Sequence, residues 1–249
     1  NYLYEELGLN FVYEGFAVDD AEGAVRAIRA LKLRGAAVSM PHKEAVIPFV
    51  DEMMESANAI EAVNTIVNTD GYLRAYNTDF QAVVDVLRSR KIDTSLSVLI
   101  RGSGGMAKAV AAAFREVGFS NVVVVSRNEA AGRALASKYG YSWKHESELE
   151  SLLGTSVLVN VTPIGMTGGN EGELSFSKEM IAGASVVFDV VAKPVETPLV
   201  LVAADAGKEV LTGFEIMALQ AAIQFKLYTG IELTEEQVKR AAEFSRLPI

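Results

Sequence analysis

The 249-residue chain has no cysteine, so neither a disulfide nor a thiolate-held metal can form. Histidine is nearly as scarce. With only His42 and His145, a structural zinc site or a histidine-based catalytic triad is not expected. Positive charge is also in deficit: 23 Lys and Arg stand against 32 Asp and Glu, a formal net charge of −9. That balance argues against nucleic acid and anionic membranes as partners, although a basic pocket remains compatible with it. No apolar run reaches the ~18–20 residues that span a bilayer, and no signal-peptide pattern is visible. The expectation is a soluble cytoplasmic protein, monomer or homodimer, whose partner is a small molecule. The first residue is Asn1 rather than Met, so the natural start is expected upstream.

What is abundant is apolar residue, 50% of the chain, enough for one large core or two small ones. Strand and helix periodicities both recur, which makes the class α/β. Residues 10–18 read as a strand, 21–33 as an amphipathic helix and 35–39 as a short strand. Pro41 ends that strand, and a helix is expected to start near His42 and Lys43. Residues 62–68 and 72–75 read as paired strands around a Thr69-Asp70-Gly71 turn. A helix follows over about 79–90.

Beyond it the pattern becomes a strict β-α alternation. Strands are expected at 97–100, 121–125, 157–161, 186–190 and 210–211, with helices at 104–117 and 129–139. Such alternation implies a mainly parallel sheet with helices on both faces. The tail, 213–228 and 234–244, reads as helical, with Thr234-Glu235-Glu236-Gln237 matching a capping box. The change of pattern near Asp79, and its end near Gly213, predict two domains, the second inserted into the first. Their expected bounds are 1–78 plus 214–249, and 79–213.

The run Gly102-Ser103-Gly104-Gly105-Met106-Ala107 lies between a strand and a helix. Gly102 suits a tight turn, Gly104 a close backbone approach to a pyrophosphate, and Ala107 close helix–strand packing. The helix N-terminus adds unpaired N–H groups and partial positive charge. A bare structural turn is the competing reading; the strand–turn–helix context favours a dinucleotide site. About 20 residues on, where NAD-binding folds place an acidic residue, the chain has Ser126-Arg127-Asn128. An arginine there pairs with a 2′-phosphate, favouring NADP over NAD, though a solvated arginine at a strand end is ordinary too.

Three polar groups stand out in the first segment: Ser39-Met40-Pro41-His42-Lys43, Asn64-Thr65 inside an apolar strand, and Asn77-Thr78-Asp79 at a helix start. Each has a bland role available. Lys43 suits a surface, Thr78 or Asp79 a helix cap, and Asn64 a loop to satisfy.

Taken in order, however, these groups and the later segments resemble the shikimate dehydrogenase family. VSMPHKE is similar to its V-T-x-P-x-K, AIEAVNTIV to A-x-G-A-V-N-T, and YNTDF to G-x-N-T-D. GSGGMAKAV resembles its G-A-G-G-A turn and SRN its N-R-T clamp. VNVTPIGM is similar to N-x-T-x-x-G-M, FDVVAKPVETPL to D-x-x-Y-x-P-x-x-T-P-L, and GFEIMALQAAIQF to G-x-x-M-x-x-x-Q-A.

The resemblance implies a Rossmann-type NADP-binding domain and an α/β substrate domain with a mainly parallel sheet, with a cleft between them. It also implies interconversion of shikimate and 3-dehydroshikimate, or of a close cyclic hydroxy acid. Lys43 and Asp79 become the catalytic pair. Such a pair is chemically apt, since a hydroxyl that loses hydride must also lose its proton. Ser39, Asn64, Gln220 and Asn1 become substrate ligands. Gly102 to Ala107 and Ser126 to Asn128 become cofactor ligands. Asn160, Thr162 and Met166 lie along the cofactor by the same resemblance, Val190 is a further cofactor ligand, and Gly213 and Met217 line the nicotinamide pocket.

The chain departs from the family pattern in three places. The first strand, with its S-x-S pair, has no counterpart before Asn1. Ser39 replaces the family threonine. Ala192 replaces the tyrosine expected two residues before Pro194, which removes a hydrogen bond worth about 1.5–3 kcal/mol to a carboxylate and predicts weak binding of shikimate itself. Two other readings stand beside the leading one: a quinate/shikimate dehydrogenase using NAD, which an acidic residue at 126–128 would have favoured, and a non-catalytic cofactor-binding paralogue, which loss of Lys43 or Asp79 would have favoured.

Overall fold

Regular structure follows the hydrophobic periodicities over most of residues 1–246, the part of the chain that the computed structural model describes. The chain divides into two compact units, Asn1–Thr78 with Ala218–Ile249, and Asp79–Met217. The chain re-enters the first unit at Ala218, inside a helix, rather than at the helix start near Gly213. Residues 247–249 lie outside the described part.

The first unit begins with α1 (Tyr2–Glu6) and α2 (Ala21–Ala30). Asp20 caps α2 by accepting from the Gly23 N–H, and Val25 and Ile28 form its buried stripe. There follow β1 (Gly35–Ala37), a 3-10 turn at Ile47–Phe49, β2 (Glu52–Met53), α3 (Glu55–Asn58), β3 (Thr65–Thr69) and β4 (Tyr72–Tyr76). At the β3–β4 turn Asp70 and Gly71 take positive φ, 52° and 92°, as a two-residue hairpin of matching twist demands. Asn68 braces the turn, accepting from the Gly71 N–H and donating to the Ile28 and Leu33 carbonyls. Val25, Ile28, Val46, Val63, Ile66 and Leu73 fill the core beneath.

Next come α4 (Thr78–Ser89), β5 (Val98–Arg101), α5 (Gly105–Val117), β6 (Val122–Ser126), α6 (Glu129–Tyr139) and β7 (Ser142–His145). A 3-10 segment at Glu146–Leu152 leads to β8 (Val157–Asn160), α7 (Lys178–Gly183), β9 (Val186–Asp189), α8 (Pro198–Asp205), β10 (Glu209–Thr212), α9 (Gly213–Thr229) and α10 (Glu235–Phe244). The second unit's strands form one sheet in the order β10-β9-β8-β5-β6-β7, with every pair parallel. Leu99, Leu158 and Val187 from its strands pack with Phe176, Met180, Ile181 and Leu199 on one face. Thr234 and Gln237 make the expected reciprocal capping box on α10. Among the described residues, no helix is long and apolar enough to cross a membrane.

The structure corrects three expectations. Residues 10–18 form no strand: no ladder partner exists for them among the described residues, and the Tyr13 peptide is instead hydrogen-bonded to the Asn1 side chain. No helix starts at His42; a single turn is closed by the Val46 N–H to the His42 carbonyl, and Pro48 then lacks the donor needed to continue. The mainly parallel sheet is the six-stranded one. In the first unit the order β1-β3-β4-β2 contains two antiparallel pairs and one parallel pair, because the tight β3–β4 hairpin imposes antiparallel pairing.

Gly213 opens α9 in contact with the chain that leaves β9: a Cβ there would sit 2.2 Å from the Val190 carbonyl oxygen. Backbone atoms cannot swing aside as a side chain can. Gly213→Ala is therefore expected to cost about 1–3 kcal/mol and to lower Tm by several degrees. Gly172→Ala, where a Cβ meets open space, should leave Tm within about 1 °C. Differential scanning calorimetry of the two variants checks the contrast.

Candidate active site

The glycine turn follows β5, and β5 lies between β8 and β6, so the strand order reverses there. Open parallel sheets bind ligands at such a point, outside the carboxyl ends of the strands. Gly102 has φ of +123°, and its Cα faces Val161, so a side chain there would be strained and crowded. Its N–H donates to the Val125 carbonyl, which ties the turn to the end of β6. Gly104 is the N-cap of α5 and provides no side-chain cap. A Cβ on Gly104 or Gly105 would meet nothing within 4 Å. Ala107 is fully buried, while Ser103 and Met106 are half-exposed. The result is a helix N-terminus facing open space, a cradle that fits a pyrophosphate.

At the end of β6 the three expected ligands have different environments. The Ser126 hydroxyl is buried, donating to the Asn128 carbonyl and accepting from the Trp143 indole N–H at 3.0 Å. The Asn128 side chain caps α6 by accepting from the Ala131 N–H. These two shape the turn. Arg127, between them, is exposed to solvent. Arg133 lies over the Trp143 ring at 4.3 Å and pairs with Glu129 at 2.8 Å. No carboxylate occupies residues 126–128, so the turn fits a 2′-phosphate better than a free ribose diol.

Asn160 is wholly buried and fully hydrogen-bonded. Its amide nitrogen donates to the Ile164 carbonyl and to Asp189, and its oxygen accepts from the Thr162 N–H and hydroxyl. The side chain therefore shapes the loop carrying Thr162 and Met166, of which Met166 is exposed. Asp189 also accepts from Thr197 at 2.6 Å and from the Val191 N–H at 3.1 Å. Complete burial pushes its carboxyl above the ordinary value of 3.8, and the Thr197, Val191 and Asn160 bonds pull partly back. Val190 passes beneath Gly213, and Met217 lies one helical turn further along α9.

In the first unit, Asn64 is the centre of a buried polar chain. Its Oδ1 accepts from the Thr78 N–H and the Thr65 hydroxyl, both at 2.8 Å, and its Nδ2 donates to the Thr78 hydroxyl at 3.0 Å. Thr78 donates onward to the Gln220 carbonyl oxygen at 3.1 Å. Backbone bonds place the other segments beside it: the Asn64 carbonyl accepts from Val38, and the Lys43 carbonyl accepts from Val63 at 2.7 Å. Ser39 and Lys43 thus flank the segment that carries Asn64 into β3. Ser39 is exposed and Lys43 half-exposed. Asp79 follows Thr78 in the first turn of α4 and is half-exposed. The Asn1 side-chain amide is hydrogen-bonded to the Tyr13 peptide.

Several residues of these networks were not among the expected ligands. Thr78 and Thr65 sit inside the N-T-D and N-T segments, and Asp189 and Thr197 inside the D…T-P-L segment, so the signal was present but unassigned. Gln224 had a fainter signal: with Gln220 it makes a pair of amides four residues apart on an otherwise apolar helix face.

The raised carboxyl of Asp189 has a definite sign. A group whose folded pKa lies above its unfolded value contributes stability below the unfolded pKa and loses it as pH rises through the folded pKa. The destabilisation caused by Asp189→Asn should therefore be largest near pH 3.5–4 and should shrink toward neutrality. Melting curves of both proteins across that range check this; a gap that widens with pH would contradict it.

Comparison with known proteins agrees with this geometry. Residues 1–66 match the family described as Shikimate dehydrogenase substrate binding domain. A shikimate dehydrogenase-like protein of Haemophilus influenzae is 49% identical, over 99% of this chain and 90% of its own. A shikimate dehydrogenase (NADP(+)) of Pyrococcus abyssi is 35% identical, over 97% of this chain and 90% of its own. A solved shikimate 5-dehydrogenase-like protein superimposes with a TM-score of 0.95 at 48% identity, covering 99% of this chain and 91% of its own. The Thermus thermophilus shikimate 5-dehydrogenase, solved with NADP(H) and shikimate, gives 0.84 at 29% identity, covering 97% and 91%. With its glycine turn at the sheet's switch point and relatives matched along almost the whole chain, the protein belongs to the shikimate dehydrogenase family.

Proposed function

We propose that this chain is an NADP-dependent oxidoreductase that interconverts a ring hydroxyl and a ring ketone on a polyhydroxylated cyclic carboxylic acid, shikimate and 3-dehydroshikimate being the reference pair. The first unit is the substrate domain and the second the cofactor domain. The observation that carries the reading is the uncapped α5 N-terminus, opening into free space at the switch point with an exposed arginine and no carboxylate at the end of the neighbouring strand. Relatives named as NADP(+) enzymes, and one solved with NADP(H) and shikimate, support it.

Bound NADP supplies a nicotinamide that accepts hydride from the carbinol carbon or returns it. The chain's own residues do the rest. Gly102 to Ala107 cradle the pyrophosphate, and Arg127 pairs with the 2′-phosphate. Asn64 and Gln220 hydrogen-bond ring substituents, and Ser39 lies on the same rim. Lys43 and Asp79 hold the hydroxyl proton as hydride leaves, and the lysine ammonium stabilises negative charge developing on that oxygen. Asn160 and Asp189 fix the loops on which Thr162, Met166 and Val190 are carried.

Two substitutions test the roles. Lys43→Ala should lower kcat by about 10²–10⁴ while NADP⁺ affinity stays within about two-fold, because the lysine acts on the transition state. An equal loss of cofactor affinity, or an undiminished rate, would remove it from catalysis. Arg127→Asp should weaken NADP⁺ binding by about 10–100-fold and NAD⁺ binding far less, since it replaces a charge-assisted bond of about 1.5–3 kcal/mol with repulsion. Titration calorimetry with both nucleotides gives the answer; equal weakening of the two would show that Arg127 does not read the phosphate.

A further inference from the structure

Among the described residues Asp189 is the one charged side chain that is buried, and its exposure is 0%. Its partners are all neutral: the Asn160 amide at 2.9 Å, the Val191 N–H at 3.1 Å and the Thr197 hydroxyl at 2.6 Å. No cation is bonded to it among the described residues. Two of the three donors have a fixed sense. A peptide N–H cannot reverse, and the Asn160 amide is oriented by its oxygen, which accepts from the Thr162 N–H. The Thr197 bond has the length of a hydroxyl on an ionised acceptor. Three donors suit a carboxylate, which accepts at both oxygens. A buried charge without a counter-charge is costly to a fold, and such groups gather at functional sites.

The sheet defines where that charge lies. Arg101, Asn160 and Asp189 are paired in register across β5, β8 and β9, so they end these strands side by side. The glycine turn begins one residue after Arg101. A dinucleotide lies across the switch point with one mononucleotide half on each side of it. The 2′-phosphate belongs to the adenosine half, and Arg127 draws that half to the β6 side. The nicotinamide half then falls to the other side, over β8 and β9. Adjacent strands are about 4.8 Å apart, which sets the end of β9 about 10 Å along the sheet from the end of β5. A buried charge still acts over such distances, because little water screens it.

NADP⁺ and NADPH differ in that half by one positive charge, which the nicotinamide ring carries when oxidised and loses when it takes hydride. We propose that Asp189 tunes the site toward the oxidised cofactor, its unpaired negative charge favouring the cationic ring of NADP⁺ over the neutral ring of NADPH. Asp189 touches neither the ring nor the substrate in this account; it acts through its field. The inference rests on the cofactor reading above, and the two can fail separately.

Titration calorimetry with each form of the nucleotide, near neutral pH, tests it. Asp189→Asn removes the charge and keeps the size. It should shift the ratio of the NADP⁺ and NADPH Kd values by about ten-fold in favour of NADPH, which is about 1.4 kcal/mol, or about 30 mV in the potential of the bound couple. Asp189→Ser, a smaller neutral variant, should shift the ratio the same way. Thr162→Val removes bonds from the same loop and leaves the charge intact, so it should change both Kd values by one factor. Melting curves show which variants fold.

If both affinities fall equally in a folded neutral variant, Asp189 is a brace for its loops and the proposal is overturned. A ratio that moves as far in Thr162→Val overturns it too, since the loop and not the charge would then be responsible. If neither neutral variant folds, the wild type decides: it should bind NADP⁺ at least as tightly as NADPH, and tighter binding of NADPH overturns the proposal. If the wild type binds neither nucleotide, the cofactor reading itself fails and the proposal falls with it.

Discussion

The peptide N–H of Thr78 donates to the side-chain oxygen of Asn64 at 2.8 Å, in a place where both residues are almost completely buried. This bond joins the entry to β3 with the first turn of α4. It fixes which way round the Asn64 amide lies, and the bonds to Thr65, Thr78 and Gln220 follow from that choice. It also sets the start of the helix whose second residue is Asp79. An unpaired buried amide costs about 1–3 kcal/mol, so the arrangement is held by the penalty for leaving it as much as by its own bonds. Lys43 reaches the same place through its backbone bond to Val63, and Ser39 through the bond its neighbour Val38 makes to Asn64.

The second unit is organised on a related principle, with backbone turns held by buried side chains. Asn160 and Asp189 end adjacent parallel strands, in register, and bond to one another at 2.9 Å. Between them they bind the peptide groups of Thr162 and Val191 and the carbonyl of Ile164. Gly102 and Gly213 then allow two close approaches of chain to chain that no side chain would permit. The loops at the carboxyl ends of β5, β8 and β9 are therefore rigidly placed, while Gly104, Gly105, Arg127 and Met166 remain open to a ligand. Preorganisation of that kind lowers the entropy lost on binding.

The elements that could be read from sequence were those whose signal is local. The β-α alternation, the glycine turn, the α10 cap and the Asp70-Gly71 hairpin each depend on a few neighbouring residues, and each formed close to where the pattern put it. Failures came where the outcome depends on a distant partner. Residues 10–18 alternate like a strand, but a strand needs another to pair with. The helix expected after Pro41 was stopped by Pro48, six residues further on than the start signals that suggested it. Nor does the sequence show that polar groups of Ser126, Asn128 and Asn160 are already hydrogen-bonded within the fold, because their partners are set by the turns and by Trp143 and Asp189. Gln224 escaped notice because its hydrogen-bond partner, Thr65, lies 159 positions away.

The proposed activity is NADP-dependent oxidation of a ring hydroxyl on a cyclic hydroxy acid. The most direct measurement is the rise in reduced-nicotinamide absorbance when the purified wild-type protein is mixed with shikimate and either NADP⁺ or NAD⁺, and then with quinate and related cyclic hydroxy acids in place of shikimate. The account predicts reduction of NADP⁺ in preference to NAD⁺ by shikimate or another member of that set. Saturable NADP⁺ binding with no reduction by any of them, or a clear preference for NAD⁺, would contradict it.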